Sequence, residues 1–199
     1  LSWSGGWALF TAANWNVLNL MGHGPTLVAL VLVGLLYAVV PGTRGGLRAS
    51  PWLKIPLIAS AWALATTVLV DSSDGWLFAS RWLLVAGLTL PFDVRDLEID
   101  AQRISTVPMA WGVPHTFAVA AALLMASILC ILAVPSWSDH PWLGGLVVAQ
   151  GALAAGMVSW PRVRQALTSG SDREREWWTG IALDGLLWLP VLSLVVEFL

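Results

Sequence analysis

Residues 112–134 read Gly-Val-Pro-His-Thr-Phe-Ala-Val-Ala-Ala-Ala-Leu-Leu-Met-Ala-Ser-Ile-Leu-Cys-Ile-Leu-Ala-Val, a run without Asp, Glu, Lys or Arg. A membrane-spanning helix needs about 20 consecutive, mainly apolar residues, and this run exceeds that length. The whole chain has the same character, because 57% of its 199 residues are hydrophobic and 11% are charged. Soluble domains carry about 25% charged residues. The composition therefore predicts an integral membrane protein.

The charge balance and the cysteine content exclude other classes. A formal net charge of -2 and a sequence pI near 5.8 provide no basic surface for nucleic acid, so no nucleic-acid partner is expected. Cys130 is the only cysteine, which rules out an internal disulfide.

Apolar stretches bounded by Gly, Pro and charged residues divide the chain into candidate spans. They lie at 7–22, 25–41, 52–70, 75–92, 112–134, 141–160 and 177–198. We therefore expect an all-α fold: a polytopic transmembrane helix bundle of about seven helices, forming a single domain over residues 1–199. The first stretch is short and contains Asn14, Asn16 and Asn19, so its polar side must face protein or an aqueous cavity.

The basic residues predict the orientation of the bundle, because Lys and Arg are retained in cytoplasmic loops. All but Arg81 lie in or beside alternate loops, after the second, fourth and sixth stretches: Arg44, Arg48, Lys54, Arg95, Arg103, Arg162, Arg164, Arg173 and Arg175. We expect residues 43–51, 93–110 and 161–176 on the cytoplasmic side of a bacterial or archaeal inner membrane, with the C-terminus outside. Arg81 and Asp184 fall within predicted helices, where pairing or snorkelling competes with a role in a cavity.

Tryptophan supports the same placement. Seven of the tryptophans fall at predicted helix ends: Trp52, Trp76, Trp137, Trp142, Trp160, Trp177 and Trp178. Their amphipathic rings prefer the depth of the lipid headgroups, so we interpret them as an interfacial aromatic belt.

The residues that can carry chemistry follow the fourth stretch. If residues 93–103 continue as a helix, Asp93, Asp96, Asp100 and Arg103 share a face, and Glu98 points away. Carboxylates on one face repel one another unless a cation lies in front of them, and Mg²⁺ bound with a diphosphate substrate fits this arrangement. The alternative is a solvated interfacial segment whose aspartates pair with Arg95 and Arg103.

The same residues carry a family resemblance. Asp93-x-x-Asp96-x-Glu98-x-Asp100, followed by Thr106-x-Pro108-x-x-x-Gly112, resembles the second aspartate-rich motif of the UbiA-type intramembrane prenyltransferases. That family has nine helices, with this motif on the cytoplasmic loop between the sixth and seventh. The resemblance implies that this chain, which begins at Leu1, lacks the first two helices and the first aspartate-rich motif.

The resemblance also implies a site and an activity. Asp93, Asp96 and Asp100 would hold Mg²⁺, and Arg103 and Lys54 would contact the diphosphate of an isoprenoid donor. Arg48 and Arg44 are further phosphate candidates, or simply part of the positive-inside signal, while Tyr37 and Asp184 would line the cavity. The expected enzyme moves an isoprenoid to a lipophilic, aromatic acceptor.

The alternative function is a structural or lipid-binding subunit. In that case the chain is a UbiA-like fold without catalysis that contacts membrane lipids and other membrane subunits of a larger complex. The absence of the first motif from this chain and the replacement of the expected basic residue by Ser105 favour this alternative.

Overall fold

A computed structural model describes residues 24–39, 50–67, 74–100, 105–135 and 141–186. All regular structure in these ranges is helical, and none of the described residues forms a strand. The prediction of an all-α fold is confirmed. The predicted stretch 7–22 lies outside the described residues.

The helices follow the predicted apolar stretches closely. They are α1 (Gly24–Val39), α2 (Pro51–Thr67), α3 (Gly75–Arg95), α4 (Leu97–Asp100), α5 (Val107–Trp111), α6 (Val113–Leu132), α7 (Pro141–Ser159), α8 (Pro161–Ser169) and α9 (Asp172–Glu176). A π-helical stretch (Trp177–Leu183) and a final turn, α10 (Asp184–Leu186), continue directly from α9.

The segment predicted to connect the sixth and seventh stretches, residues 161–176, contains two short helices, α8 and α9. Pro161 occupies the first position of α8, where its missing N–H costs nothing, and Val163 and Leu167 are buried one turn apart. At α9 the Ser171 hydroxyl accepts from the Glu174 N–H while the Glu174 carboxylate accepts from the Ser171 N–H, a reciprocal capping box. This backbone N–H, together with the Ser171 hydroxyl, lowers the pKa of Glu174.

Two of the helices are long and apolar enough to cross a membrane, namely α3 and α6. Residues Gly144–Ser159 of α7 form a shorter apolar helix. These findings cover only the part of the chain that the structure describes. They give the protein two candidate membrane spans, and the count of seven remains a prediction.

The two candidate spans pack directly against each other. A Cβ atom at Gly87 would lie 2.8 Å from Leu124 Cγ and 3.1 Å from the Ala120 carbonyl oxygen. Nearer one end of the helices, the hydroxyls of Ser80 and Ser127 lie 3.2 Å apart and share a buried hydrogen bond. Small residues that allow close backbone approach are typical of helix contacts in membranes.

Small residues also lie at the contacts with the neighbouring helices, α2 and α7. A Cβ atom at Gly151 of α7 would lie 2.7 Å from Ile128 Cγ1 of α6. On the other side, the Trp82 indole N–H of α3 donates to the Ser60 hydroxyl of α2 at 3.0 Å. Helices α2, α3, α6 and α7 thus form a packed layer with α3 and α6 at its centre.

Candidate functional site

One end of the bundle gathers charged side chains from segments far apart in the sequence. We call this set the charged end: Lys54 of α2, Asp93 and Arg95 of α3, Asp96, Glu98 and Asp100 at α4, Arg175 of α9, and Asp184. Lys54 contacts Asp93, Arg95 contacts Asp96 and the Thr179 hydroxyl, and Arg175 contacts Glu98. Apart from Asp184, which falls within the seventh stretch, these residues lie in or beside the segments that follow the second, fourth and sixth apolar stretches.

The most buried contact at the charged end joins Lys54 to Asp93. The Lys54 ammonium donates to Asp93 Oδ1 at 2.5 Å, and the Asp93 side chain is only 1% exposed. Its second oxygen, Oδ2, is buried and has no hydrogen-bond partner among the described residues. An ionised carboxylate at such a depth requires a cation beside it, and Lys54 supplies that charge. One carboxylate oxygen is therefore buried and unpaired within the described part of the chain.

The second contact joins neighbours in the chain. Arg95 Nε and Nη2 donate to the two oxygens of Asp96 at 2.6 and 2.8 Å, a bidentate pair. Arg95 Nη1 donates to the Thr179 hydroxyl in the π-helical stretch at 2.9 Å. Asp184 lies within electrostatic range of the same guanidinium. Arg95 therefore connects the end of α3 to the last described helix, and its pairing with Asp96 is the one expected from the alternative interpretation.

The continuous helix through the aspartates is interrupted. Asp96 has φ -89° and ψ 7°, so α3 ends at Arg95 and α4 begins at Leu97. Asp93 faces the core, whereas the Glu98 side chain is 78% exposed and accepts from Arg175 Nη1 at 3.3 Å. Glu98 thus lies off the face of Asp93, as the helical spacing predicts.

The three aspartates lie near one another but are not collected around one point. Asp96 and Asp100 act on Asp93 as like charges. Within the described ranges, no group of three His, Cys, Asp or Glu side chains is placed to hold a metal ion. Asp96 has both oxygens on Arg95, so Asp93 Oδ2 and the Asp100 carboxylate are the oxygens left open.

Several predicted site residues cannot be compared with the structure. Arg44, Arg48 and Arg103 lie outside the described residues. Tyr37 lies in α1, and its side chain is not among those described. Lys54, Asp93, Asp96, Asp100 and Asp184 are the predicted site residues that the structure brings to the charged end.

The Thr-x-Pro-x-x-x-Gly segment has a clear structural role. Thr106 precedes α5 and is fully buried, with its hydroxyl unpartnered among the described residues. Pro108 lies in the first turn of α5, and Gly112 joins α5 to α6 at φ 79° and ψ 153°. That conformation is open essentially to glycine alone. Gly112 therefore supplies the backbone conformation at the junction between α5 and α6.

A second polar arrangement lies away from the charged end and pairs Arg81 with Gln150, a residue that the sequence analysis did not single out. Arg81 Nη1 of α3 lies 3.5 Å from Gln150 Oε1 of α7, and the Gln150 amide donates to the Leu186 carbonyl at 2.8 Å. Gln150 is 1% exposed. A lone glutamine within an apolar helix is the signal that could have identified it.

Comparison with known protein families, with curated proteins and with solved structures finds no match for this chain.

Proposed function

We propose that the protein is a membrane-embedded prenyltransferase of the UbiA-like kind, which moves an isoprenoid from its diphosphate to a lipophilic, aromatic acceptor. The observation that carries this proposal is the Lys54–Asp93 pair with its open carboxylate oxygen. A cation and a carboxylate from two different helices lie side by side at one end of a mainly apolar helix bundle. Charges placed against apolar helices in this way are costly and mark candidate functional sites.

The open oxygens suit Mg²⁺. This ion prefers oxygen ligands, keeps several waters, and is commonly held by one or two carboxylates together with substrate phosphates. Asp93 and Asp100 would supply those carboxylates, with Asp96 joining if Arg95 turns to the substrate. The metal would neutralise charge on the diphosphate as it leaves.

The protein's own residues would bind and shield the substrate. Lys54 and Arg95 already face carboxylates at the charged end, and each can donate to phosphate oxygens instead. The apolar helices behind them would exclude water from an allylic cation. Arg103, Arg48 and Arg44 remain proposed further phosphate contacts, and Tyr37 and Asp184 remain proposed cavity residues.

Thermal stability in detergent tests the site. A non-hydrolysable prenyl diphosphate analogue should raise the Tm of the full chain only when Mg²⁺ is present, by about 2.7 kcal/mol of added stability at a hundredfold excess over Kd. Asp100→Asn should abolish this shift without lowering the unliganded Tm, because Asp100 has no ion pair among the described residues.

Glu98→Gln is the matched control, since Glu98 is an exposed carboxylate two residues away that faces Arg175. It should leave the Mg²⁺-dependent shift intact. A shift that ignores Mg²⁺, or equal effects of Asp100→Asn and Glu98→Gln, would reject the diphosphate site.

The proposed orientation has its own test. We propose that the charged end is cytoplasmic in a bacterial or archaeal inner membrane. Single cysteines in a Cys130→Ala background at position 98 or 173, both exposed, should resist a membrane-impermeant maleimide applied to intact cells and react in inverted vesicles. Labelling of either position from outside the cell contradicts the orientation.

A second candidate function has a specific observation behind it. Lys54 and Arg95 already neutralise Asp93 and Asp96, so these charges are satisfied without metal or diphosphate. A subunit that is held together by such pairs and serves a larger membrane complex would show no Mg²⁺-dependent shift. Co-purification of a stoichiometric partner from native membranes, with no transferase activity, would establish that function instead.

A further inference from the structure

A narrow groove opens beside the charged end, where five helical segments meet. It measures about 160 Å³ and is lined by Arg95 at the end of α3, Leu97 and Glu98 of α4, Val113 of α6, Leu167 of α8 and Arg175 of α9. Pockets for whole small-molecule ligands begin near 300 Å³. The groove therefore suits a small polar headgroup rather than a complete isoprenoid substrate.

The guanidinium groups of Arg95 and Arg175 line this groove, and they differ in how many of their N–H donors are hydrogen-bonded. Arg95 directs three of its five N–H donors to Asp96 and Thr179. Arg175 donates only through Nη1 to Glu98, and its Nε is buried with no partner among the described residues. Since the Arg175 side chain is only 16% exposed, water reaches its donors poorly. Arg175 is therefore a partly desolvated cation with spare hydrogen-bonding capacity.

The carboxylate that faces Arg175 is a weak competitor. Glu98 is mostly exposed, and its single contact is 3.3 Å long. A long contact whose carboxylate lies in solvent contributes little stability, because water screens the charge of Glu98. A phosphodiester can displace Glu98 and receive several donors at once, including the bidentate contacts that arginine favours.

Exposed tryptophans at the charged end indicate that the groove lies at the depth of the lipid headgroups. Trp52 and Trp111 pack edge to face at the charged end, with ring centroids 5.1 Å apart, and Trp177 begins the π-helical stretch. All three indoles are exposed, as expected of rings at the membrane interface. Apolar walls beside arginines at this depth are typical of sites for anionic lipid headgroups.

We propose that this groove binds the phosphodiester headgroup of an anionic phospholipid, with Arg175 as the principal contact and Arg95 as the second. The apolar side of the groove, formed by Leu97, Val113 and Leu167, would receive the start of the acyl chains. The site rests on the membrane placement proposed above. It shares Arg95 with the proposed diphosphate site, and Arg175, which that site does not use, distinguishes the two.

Native mass spectrometry of the full chain in a neutral detergent tests the site, with no Mg²⁺ or prenyl diphosphate present. Phosphatidylglycerol should bind with a defined stoichiometry, and phosphatidylcholine should bind more weakly. Arg175→Gln should lower the affinity for phosphatidylglycerol about tenfold or more. Glu98→Gln should raise that affinity, because it removes the competing carboxylate.

Arg173→Gln is the matched control, since Arg173 is an exposed arginine on the same short helix and lies outside the groove lining. It should leave binding unchanged. Equal losses from Arg173→Gln and Arg175→Gln would reduce the effect to general surface charge and overturn the proposal. Equal binding of the two lipids, or displacement of phosphatidylglycerol by millimolar inorganic phosphate, would also overturn it. The gain from Glu98→Gln tests the site even if Arg175→Gln fails to fold.

Discussion

The Gln150 side chain donates its amide to the backbone carbonyl of Leu186 at 2.8 Å. Gln150 of α7 therefore satisfies a backbone carbonyl at the end of the last described turn, Asp184–Leu186. The Gln150 side-chain oxygen accepts from Arg81 Nη1, so this one amide group links α3, α7 and α10.

Loss of this donor should be measurable. Gln150→Leu should lower the free energy of unfolding by about 1–3 kcal/mol, because it removes the donor that the structure gives to the Leu186 carbonyl. Reversible unfolding in mixed micelles measures this loss. A Gln150→Leu variant as stable as the unmodified protein would contradict this account of the carbonyl.

Close packing at Gly87 makes a second prediction. Gly87→Ala places a methyl group 2.8 Å from Leu124 Cγ and 3.1 Å from the Ala120 carbonyl oxygen, so α3 and α6 must separate or Leu124 must move. We expect a loss of about 1–3 kcal/mol, typical of overpacking. Gly156→Ala is the control, because a Cβ there meets nothing within 4 Å. Similar melting temperatures for the two variants would show that this contact is looser than described.

A substitution at Gly112 should lower the free energy of unfolding through backbone strain alone. A Cβ at this position would meet nothing closer than Pro114 Cδ at 3.9 Å, yet φ is +79°. Gly112→Ala should therefore destabilise the protein by about 1–3 kcal/mol through strain rather than through a clash. Gly75→Ala, at an open helix start without positive φ, should have little effect on thermal unfolding.

The Lys54–Asp93 pair should behave as a buried ion pair. Lys54→Met leaves the Asp93 carboxylate in the core without its cation, a change that typically costs about 3–5 kcal/mol. Lys54→Met with Asp93→Leu should be clearly more stable than Lys54→Met alone. By contrast, breaking the exposed pair with Glu98→Gln should cost at most about 1 kcal/mol. A double-mutant cycle on chemical unfolding yields each coupling energy, and equal values for both pairs would argue against burial of Asp93.

The positions of the helices were predictable because apolar runs and their Gly, Pro and charged boundaries are local signals. The stretch predicted at 75–92 became α3, Gly75–Arg95, where Asp74 accepts from the N–H groups of Trp76 and Leu77 at its start. Helix α8 was missed because its inward face depends on only two buried residues, Val163 and Leu167, in an otherwise polar segment.

The pairings at the charged end were less predictable, because they depend on which helices become neighbours. Helical spacing placed Glu98 away from Asp93, but no local pattern could assign Lys54 to Asp93 across 39 positions of sequence. Helical spacing also could not predict the break at Asp96. This break accompanies a bidentate contact between the Asp96 and Arg95 side chains, which residue spacing does not reveal. A lone glutamine in an apolar helix indicates a polar partner, but the sequence could not identify that partner as the Leu186 carbonyl.

The π-helical stretch Trp177–Leu183 affects how the chain tolerates a change of length. Hydrogen bonds in a π-helix skip one residue more than those in an α-helix, so such a stretch holds a surplus residue. Deleting Gly180, an exposed glycine in open space, would let the stretch tighten into an α-helix while Asp184 and Leu186 keep their orientation. Deleting a residue from the middle of α6 would instead rotate everything after it by about 100° and turn Leu124 and Ser127 out of their contacts. Insertions and deletions during divergence should therefore accumulate in the last helix and be rare in the central pair.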